Sequence, residues 1–455
     1  MAMQGVKFRA YPTREQAKAL SRWIGCARVI YNCKVKEDKQ NRKAFVLNGE
    51  KIKPNQAYSH FKTGENEWIK DCPAVILRNS CNNWYTAKER YFKKLAGQPT
   101  EHKKGQRDSI LLTSEIFDLT DHVDENGVIK KRLLIGGKKF NIGELKFIDN
   151  QSYGNPKQIV ISRKAYKWYV SFCYDNGIEQ KSEEDLLKEF STFDDAYLFQ
   201  ITMGIDRGVA IPFQCNDGTS FGFSDRSKVV IKKKEARLKR YQRMLSRQVK
   251  TSKRRKKTRL KISLLHNSIY NIRNDFCHKT SHALVNSDAK IFAIEDLKLS
   301  KMTRRPKPKK DANGKFLPNK AKAKSGLNKG LLSYGLAKTV DFLKYKALKN
   351  NKIVIKVKPH YSSQECANCG HICADNRQTQ ANFVCLSCGN HDNADLNAAK
   401  VIKKRGVLEI LSKPKAKTKT RLGTSRSKAK RGGSKTGVEE ILNSQLPVTL
   451  EARPL

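Results

Sequence analysis

The chain has 455 residues, 38% hydrophobic and 8% aromatic, enough for a sizeable core spread over roughly two to four domains. Lys and Arg number 92 against 43 Asp and Glu, a formal net charge of +49, and such an imbalance opposes compaction unless a polyanion offsets it. No stretch approaches the ~18 apolar residues of a spanning helix, and the N-terminus shows no apolar leader, so a nucleic-acid partner inside the cell is expected rather than a membrane.

In chain order, residues 6–11 alternate as a short strand, closed by Pro12. Thr13 then opens a helix with Gln16 placed as in a capping box, and Leu20, Trp23, Ile24, Ala27, Ile30 and Tyr31 recur on one helical face. Helical patterning continues to about Leu95, interrupted near Pro54 and Pro73. Residues 109–118, 128–135, 144–149, 157–163 and 166–174 read as strands between Gly, Asn and Asp turns. The first strand is therefore expected to join a β-domain whose remainder follows a helical insertion. Residues 180–196 read as an acidic linker. From Phe199 the pattern is strand, an Asn216-Asp217-Gly218 turn, and strand. Residues 232–261 carry sixteen Lys and Arg with one acid, Glu235, and lead into an amphipathic helix marked by Ile262, Leu265, Ile269, Ile272 and Phe276. A buried strand is predicted over 290–297, a mobile loop over 301–328, a helix over 334–350 and a strand over 353–357. A short helix follows Asp395, and from about Lys403 a Lys/Arg-rich tail is expected to be disordered. Strand, hairpin, strand, helices, strand, helix and strand is the order of an RNase H-like layer, although the pattern fits other α/β folds as well.

Three constellations carry chemistry. Cys366-Ala-Asn-Cys369 and Cys385-Leu-Ser-Cys388 stand fifteen residues apart, each followed by glycine, Gly370 and Gly389. Two such knuckles can set four thiolates tetrahedrally around one structural Zn²⁺; paired redox motifs are the rival reading. Cys373 and His371 lie nearby without the paired spacing. The other scattered cysteines are expected to be reduced. The second constellation is a set of acids. Asp206 and Glu295 end apolar strands, and Asp395 opens the helix of Asn393-Ala-Asp395-Leu-Asn-Ala-Ala399. A carboxylate at the end of a buried strand is costly unless paired or metal-bound, and three that converge can hold two hard cations at a phosphodiester. Asp296 and Asp392 are neighbours that the pattern alone does not separate from these. The third is the 232–261 run, whose bases lack the interleaved acids of a solvated face and therefore suit phosphate contacts.

In combination these motifs resemble TnpB, the transposon-encoded family ancestral to compact type V CRISPR effectors. The likeness rests on Gly-Ile-Asp206-Arg-Gly, Ala-Ile-Glu295-Asp-Leu, Tyr361-Ser-Ser-Gln-Glu-Cys366, the two Cys-x-x-Cys-Gly knuckles and Asn393-Ala-Asp395-Leu-Asn. It extends to Phe8-Arg-Ala-Tyr-Pro12, Gly25-Cys-Ala-Arg28, Leu245-Ser-Arg247 and Arg273-Asn-Asp-Phe-Cys-His278, so it spans about residues 5–402. Ser362, where the family usually has Thr, and Ala367, where Ser is common, are small departures.

The resemblance implies an α/β multidomain protein: an RNase H-like (RuvC) nuclease with an inserted zinc ribbon, a β-barrel wedge domain and a helical recognition lobe. In numbers, the wedge would comprise 1–12 and 105–196 (with a linker), the helical lobe 13–104, the nuclease 197–360 and 393–403, the ribbon 361–392, and the basic tail 404–455. It also implies catalysis by Asp206, Glu295 and Asp395 holding two Mg²⁺, with zinc on Cys366, Cys369, Cys385 and Cys388. The implied partners are a guide RNA and a target double-stranded DNA chosen by pairing beside a short DNA motif. The setting would be a prokaryotic cytoplasm, nucleoid-associated when DNA-bound. Two alternatives are an RNA-guided DNA-binding protein with little cleavage and a transposase accessory protein.

Overall fold

A computed structural model describes residues 3–412 except Glu50, Asp124, Asn126, Lys138 and Gln380. Two compact units are resolved, which meet between Glu179 and Gln180 in sequence. Among the described residues no helix is long and apolar enough to cross a membrane.

The first unit opens with β1 (Met3–Tyr11), α1 (Arg14–Asn48) and α2 (Ala74–Phe92). Its strands then follow as β2 (Ser109–Thr113), β3 (Phe117–Val123), β4 (Ile129–Gly136), β5 (Asn141–Phe147), β6 (Gln158–Lys164) and β7 (Lys167–Asp175). The capping box forms: Gln16 N–H donates to Thr13 Oγ1 at 3.3 Å, and Thr13 N–H donates to Gln16 Oε1 at 3.0 Å. Gln16 Nε2 also donates to the carbonyls of Ile142 and Glu144, at 3.0 and 2.9 Å, which ties the helix start to β5. The face of α1 marked by Leu20, Trp23, Ile24, Ala27, Ile30 and Tyr31 is buried. The seven strands form one antiparallel sheet in the order β2-β6-β7-β1-β5-β4-β3, packed around Phe8, Phe147, Phe172 and Tyr153. Among the described residues the outer strands β2 and β3 do not pair with each other, so the expected closed barrel is corrected to an open sheet order. The single strand expected over 109–118 is two, split where Ile116 N–H turns back to the Thr113 carbonyl at 3.1 Å.

The second unit runs through α3 (Glu183–Phe190), α4 (Asp195–Ile201), β8 (Thr202–Asp206), β9 (Phe213–Cys215), β10 (Ser220–Phe221), α5 (Asp225–Arg247) and α6 (Lys253–Val285). It continues with β11 (Ile291–Glu295), α7 (Leu299–Met302), β12 (Lys309–Lys310), β13 (Phe316–Leu317), α8 (Ala321–Ser333), α9 (Leu336–Lys349) and β14 (Ile353–Val357). The last elements are β15 (Asn382–Val384), β16 (His391–Asn393) and α10 (Ala394–Leu411). The main sheet is β10-β9-β8-β11-β14, with β8, β11 and β14 parallel and β9 antiparallel to β8. Alternation sorts the side chains to two faces. Met203, Ile205, Phe292 and Ile294 pack with Phe276 of α6 and Val340 and Leu343 of α9, whereas Ala293 and Val357 pack with Ile402 of α10. The result is a mixed α/β layer with helices on both faces.

Three expectations for this unit are corrected. The linker over 180–196 contains α3, because Ser182 and Asp185 make a capping box and Leu186 and Phe190 are buried. The loop over 301–328 contains a two-residue hairpin and the start of α8. The helix after Asp395 runs to Leu411, beyond the boundary at 403, because Val407 and Ile410 are buried as well as Ile402. The rest of the expected tail lies outside the described residues.

Candidate active site and metal centre

The cysteine cluster is the most compact chemical feature. The Sγ atoms of Cys366, Cys369, Cys385 and Cys388 all lie within 4.8 Å of one another. Cys366 and Cys388 are 3.7 Å apart, and Cys369 and Cys385 are 3.5 Å apart. A tetrahedron with Zn–S bonds of ~2.3 Å has edges of about 3.8 Å, so the four thiols fit that ion as they stand. Each knuckle turns in the same way. Gly370 N–H donates to the Cys366 carbonyl and Gly389 N–H to the Cys385 carbonyl, both at 3.0 Å, with φ of 79° and 68° at the two glycines. Those left-handed angles are why glycine follows each second cysteine. The Asn390 main-chain N–H and the neighbouring thiols lower Cys388, while the same coupling among the thiols raises Cys369. His371 and Cys373 stand outside the group. A soft, four-sulfur donor set is the chemistry of a structural zinc site, which the cluster therefore suggests.

The three acids approach the C-terminal ends of the central strands of the main sheet by different routes. Asp206 and Glu295 end the adjacent parallel strands β8 and β11, whose register pairs Ile205 with Ile294. Asp395 comes from α10, which Asn393 caps by accepting from the N–H groups of Asp395 and Leu396 at 3.0 and 3.2 Å. The helix lies very close to the strands. A Cβ on Gly204 would stand 2.1 Å from the Ala399 carbonyl oxygen, and one on Gly406 would stand 2.4 Å from Ala293 Cβ. Only glycine admits that approach. The convergence appears in Asp206, whose carboxyl is pushed up to about 7, first by burial and then by repulsion from Glu295 and Asp395.

Two of the three acids have side-chain partners that sequence reasoning missed. Ser362 Oγ donates to Glu295 Oε1 at 2.5 Å, and Arg377 Nη2 donates to Asp395 Oδ1 at 3.1 Å. Arg207 is buried and its Nη2 donates to the Glu295 carbonyl oxygen at 2.5 Å. Ser362 precedes the first knuckle and Arg377 lies between the two, so the ribbon segment supplies contacts to two of the three acids. The only sequence signal was that Ser362 and Arg207 lie inside the motifs; Arg377 lies in none of them. Among the described residues the four thiols are the one group with ligand atoms gathered for metal; the carboxylates approach the same strand ends without such tight gathering. The two neighbouring acids are engaged elsewhere: Asp296 pairs with Lys356 at 3.0 Å and Asp392 with Lys400 at 2.7 Å.

Three family models match the chain: "Helix-turn-helix domain" over residues 1–45, "Probable transposase" over 199–305, and "Cas12f1-like, TNB domain" over 337–402. The first of these covers one strand and one uninterrupted helix here. The last covers both knuckles and Asp395. Escherichia coli K12 has a relative named as an RNA-guided DNA endonuclease, InsQ, 30% identical over 406 residues, which cover 88% of this chain and 91% of that one. A CRISPR-associated endodeoxyribonuclease Cas12f1 from Sulfoacidibacillus thermotolerans is 50% identical over 58 residues, 13% of this chain and 14% of that one. In fold, the chain resembles the protein in a solved Cas12f1–sgRNA–target DNA complex, with a TM-score of 0.51 at 14% identity over 86% of this chain and 82% of that one. A likeness that runs nearly end to end along the Escherichia coli protein places the chain in the TnpB family of transposon-encoded RNA-guided nucleases.

Proposed function

We propose that the chain is an RNA-guided DNA endonuclease whose RuvC-like site is built on Asp206, Glu295 and Asp395. What supports this reading is that Asp206 and Glu295 end the adjacent strands β8 and β11, and that Asp395 on α10 lies near enough to help raise the Asp206 carboxyl. Family membership and the strand order support an RNase H-like layer, with the ribbon inserted between β14 and α10. The first unit, with its long helix and seven-stranded sheet, would serve as recognition lobe and wedge. Guide RNA and target double-stranded DNA are the expected partners, by likeness to the relatives and from the charge of +49.

Three carboxylates at the C-terminal end of the parallel strands suit Mg²⁺, and Asp206, Glu295 and Asp395 would hold the two ions expected there. Bound Mg²⁺ would polarise a phosphodiester and lower the pKa of an attacking water. The chain's own residues prepare that end. Ser362 holds the Glu295 carboxylate, Arg207 holds its main chain, and Arg377 offsets the charge at Asp395.

Single replacements Asp206→Ala, Glu295→Ala and Asp395→Ala should each lower DNA cleavage on the order of a thousandfold or more. RNA-guided DNA binding should stay nearly intact, because it rests on base pairing and phosphate contacts. Double replacements should be little worse than single ones, since the acids act as a unit. Asp296→Ala and Asp392→Ala serve as controls expected to cut. Normal cleavage by all three single variants would exclude the site, and strand-transfer products in place of hydrolysis would favour a transposase.

A further inference from the structure

The antiparallel pair α5 and α6 is anchored in its unit through Ile231 and Phe276, and away from that anchor it is bare. Between Ala236 and Lys261 only Thr258 is buried, and the stretch holds thirteen Lys and Arg and no acid. A thin seam joins the helices. Thr258 Oγ1 donates to Met244 Sδ at 3.9 Å, and Lys261 Nζ stands 5.5 Å from the centre of the Tyr241 ring. Arg255 turns inward and closes the end of α5 by donating to the carbonyls of Leu245 and Gln248, the latter at 2.8 Å. Arg240 also lies over the Tyr241 ring, at 5.7 Å. At 3.6 residues per turn, Lys239 and Arg243 fall on the outer half of α5, and Lys253, Lys257 and Arg259 on the outer half of α6, all exposed.

Charge on both outer faces limits what can neutralise it. Two helices side by side are about 20 Å across, whereas a B-DNA major groove is about 12 Å wide, so the pair does not enter a groove. A duplex laid against one face leaves the other beyond the ~8 Å screening length, with its cations unmatched. Tyr241 is the only aromatic residue in the stretch, which favours phosphate contact over base stacking. We propose that this hairpin is a partition between two nucleic-acid segments, one against the outer face of α5 and the other against that of α6. Resting on the RNA-guided reading above, the inference takes the two segments to be guide RNA and target DNA.

Two variants of the full chain separate the faces: Lys239→Gln/Arg243→Gln and Lys253→Gln/Lys257→Gln/Arg259→Gln. The RNA probe is the RNA that copurifies with the chain, and the DNA probe is a duplex pool carrying its matching sequence between randomised flanks. The slope of log affinity against log salt is measured for RNA binding and for DNA binding by the assembled complex. One variant should lower the RNA slope by about two to three, and the other should lower the DNA slope by a similar amount, each leaving the other slope near its original value. Both variants acting on the same slope, or either acting on neither, overturns the partition. Should either of these variants lose helical circular dichroism, Arg243→Gln and Lys257→Gln carry the same test with shifts somewhat under one. If the unaltered chain copurifies with no RNA and binds none, the RNA-guided reading fails instead.

Discussion

Ser362 makes one short hydrogen bond to Glu295 Oε1 from a nearly fully buried position. Without its hydroxyl, that carboxylate keeps its charge and loses a donor. Ser362→Ala should therefore slow cleavage about tenfold and raise the Mg²⁺ concentration needed, with DNA binding and thermal unfolding little changed. Ser362→Thr should recover most of the loss, because the donor returns. A Mg²⁺ titration superimposable on that of the unaltered chain for Ser362→Ala would remove the hydroxyl from this role. At this scale the acids were legible in the sequence and their partners were not. Asp206 and Glu295 announce themselves as charges closing apolar strands. Arg207 and Ser362 reach Glu295 across 88 and 67 residues, and no local pattern encodes contacts of that separation.

Elements with strong local chemistry were legible in the same sense: the capping box and apolar stripe of α1, the Asn216-Asp217-Gly218 turn and the paired knuckles. The linker over 180–196 hid α3, because its acids dominate the composition while only Leu186 and Phe190 face inward. The end of α10 was obscured by Lys403, Lys404 and Arg405, which sit beside the buried Ile402 and Val407. Two predictions belong here. Cys369→Ser or Cys388→Ser should release zinc and melt the ribbon, whereas Cys373→Ser should keep it; one zinc per chain retained in both knuckle variants would contradict the site. Gly204→Ala should force α10 away from β8, since the new carbon would meet the Ala399 carbonyl at 2.1 Å. The expected cost is about 3 kcal/mol, seen as a lowered unfolding midpoint and faster proteolysis of α10. An unshifted midpoint would mean that the helix can slide.

For the whole molecule, charge announced a polyanionic partner before any element was placed, and alternation over residues 6–11 set the first strand in a β-domain completed after a helical insertion. β1 takes that place. It stands between β7 and β5 and pairs from Met3↔Asp175 to Ala10↔Trp168, so the first residues of the chain complete a sheet assembled more than a hundred residues later. Removing residues 3–11 should leave β7 and β5 with unpaired edges and expose Phe8's aromatic partners. The shortened chain should aggregate, and hydrogen exchange should show loss of protection throughout the first unit. Protection equal to that of the intact chain would mean that the sheet forms without its central strand.

The order of parts along the chain also fixes when the proposed nuclease can begin to act. Asp206 and Glu295 are made first, and Asp395 arrives a further hundred residues on, with α10 and after the ribbon. Until that helix has been translated and has settled against Gly204, the growing polypeptide holds two acids and no third. A truncated product of interrupted synthesis would then bind nucleic acid through its basic surfaces while sparing the genome from cleavage. If Asp395 is needed for cleavage, chain order alone would act as a safety catch during synthesis.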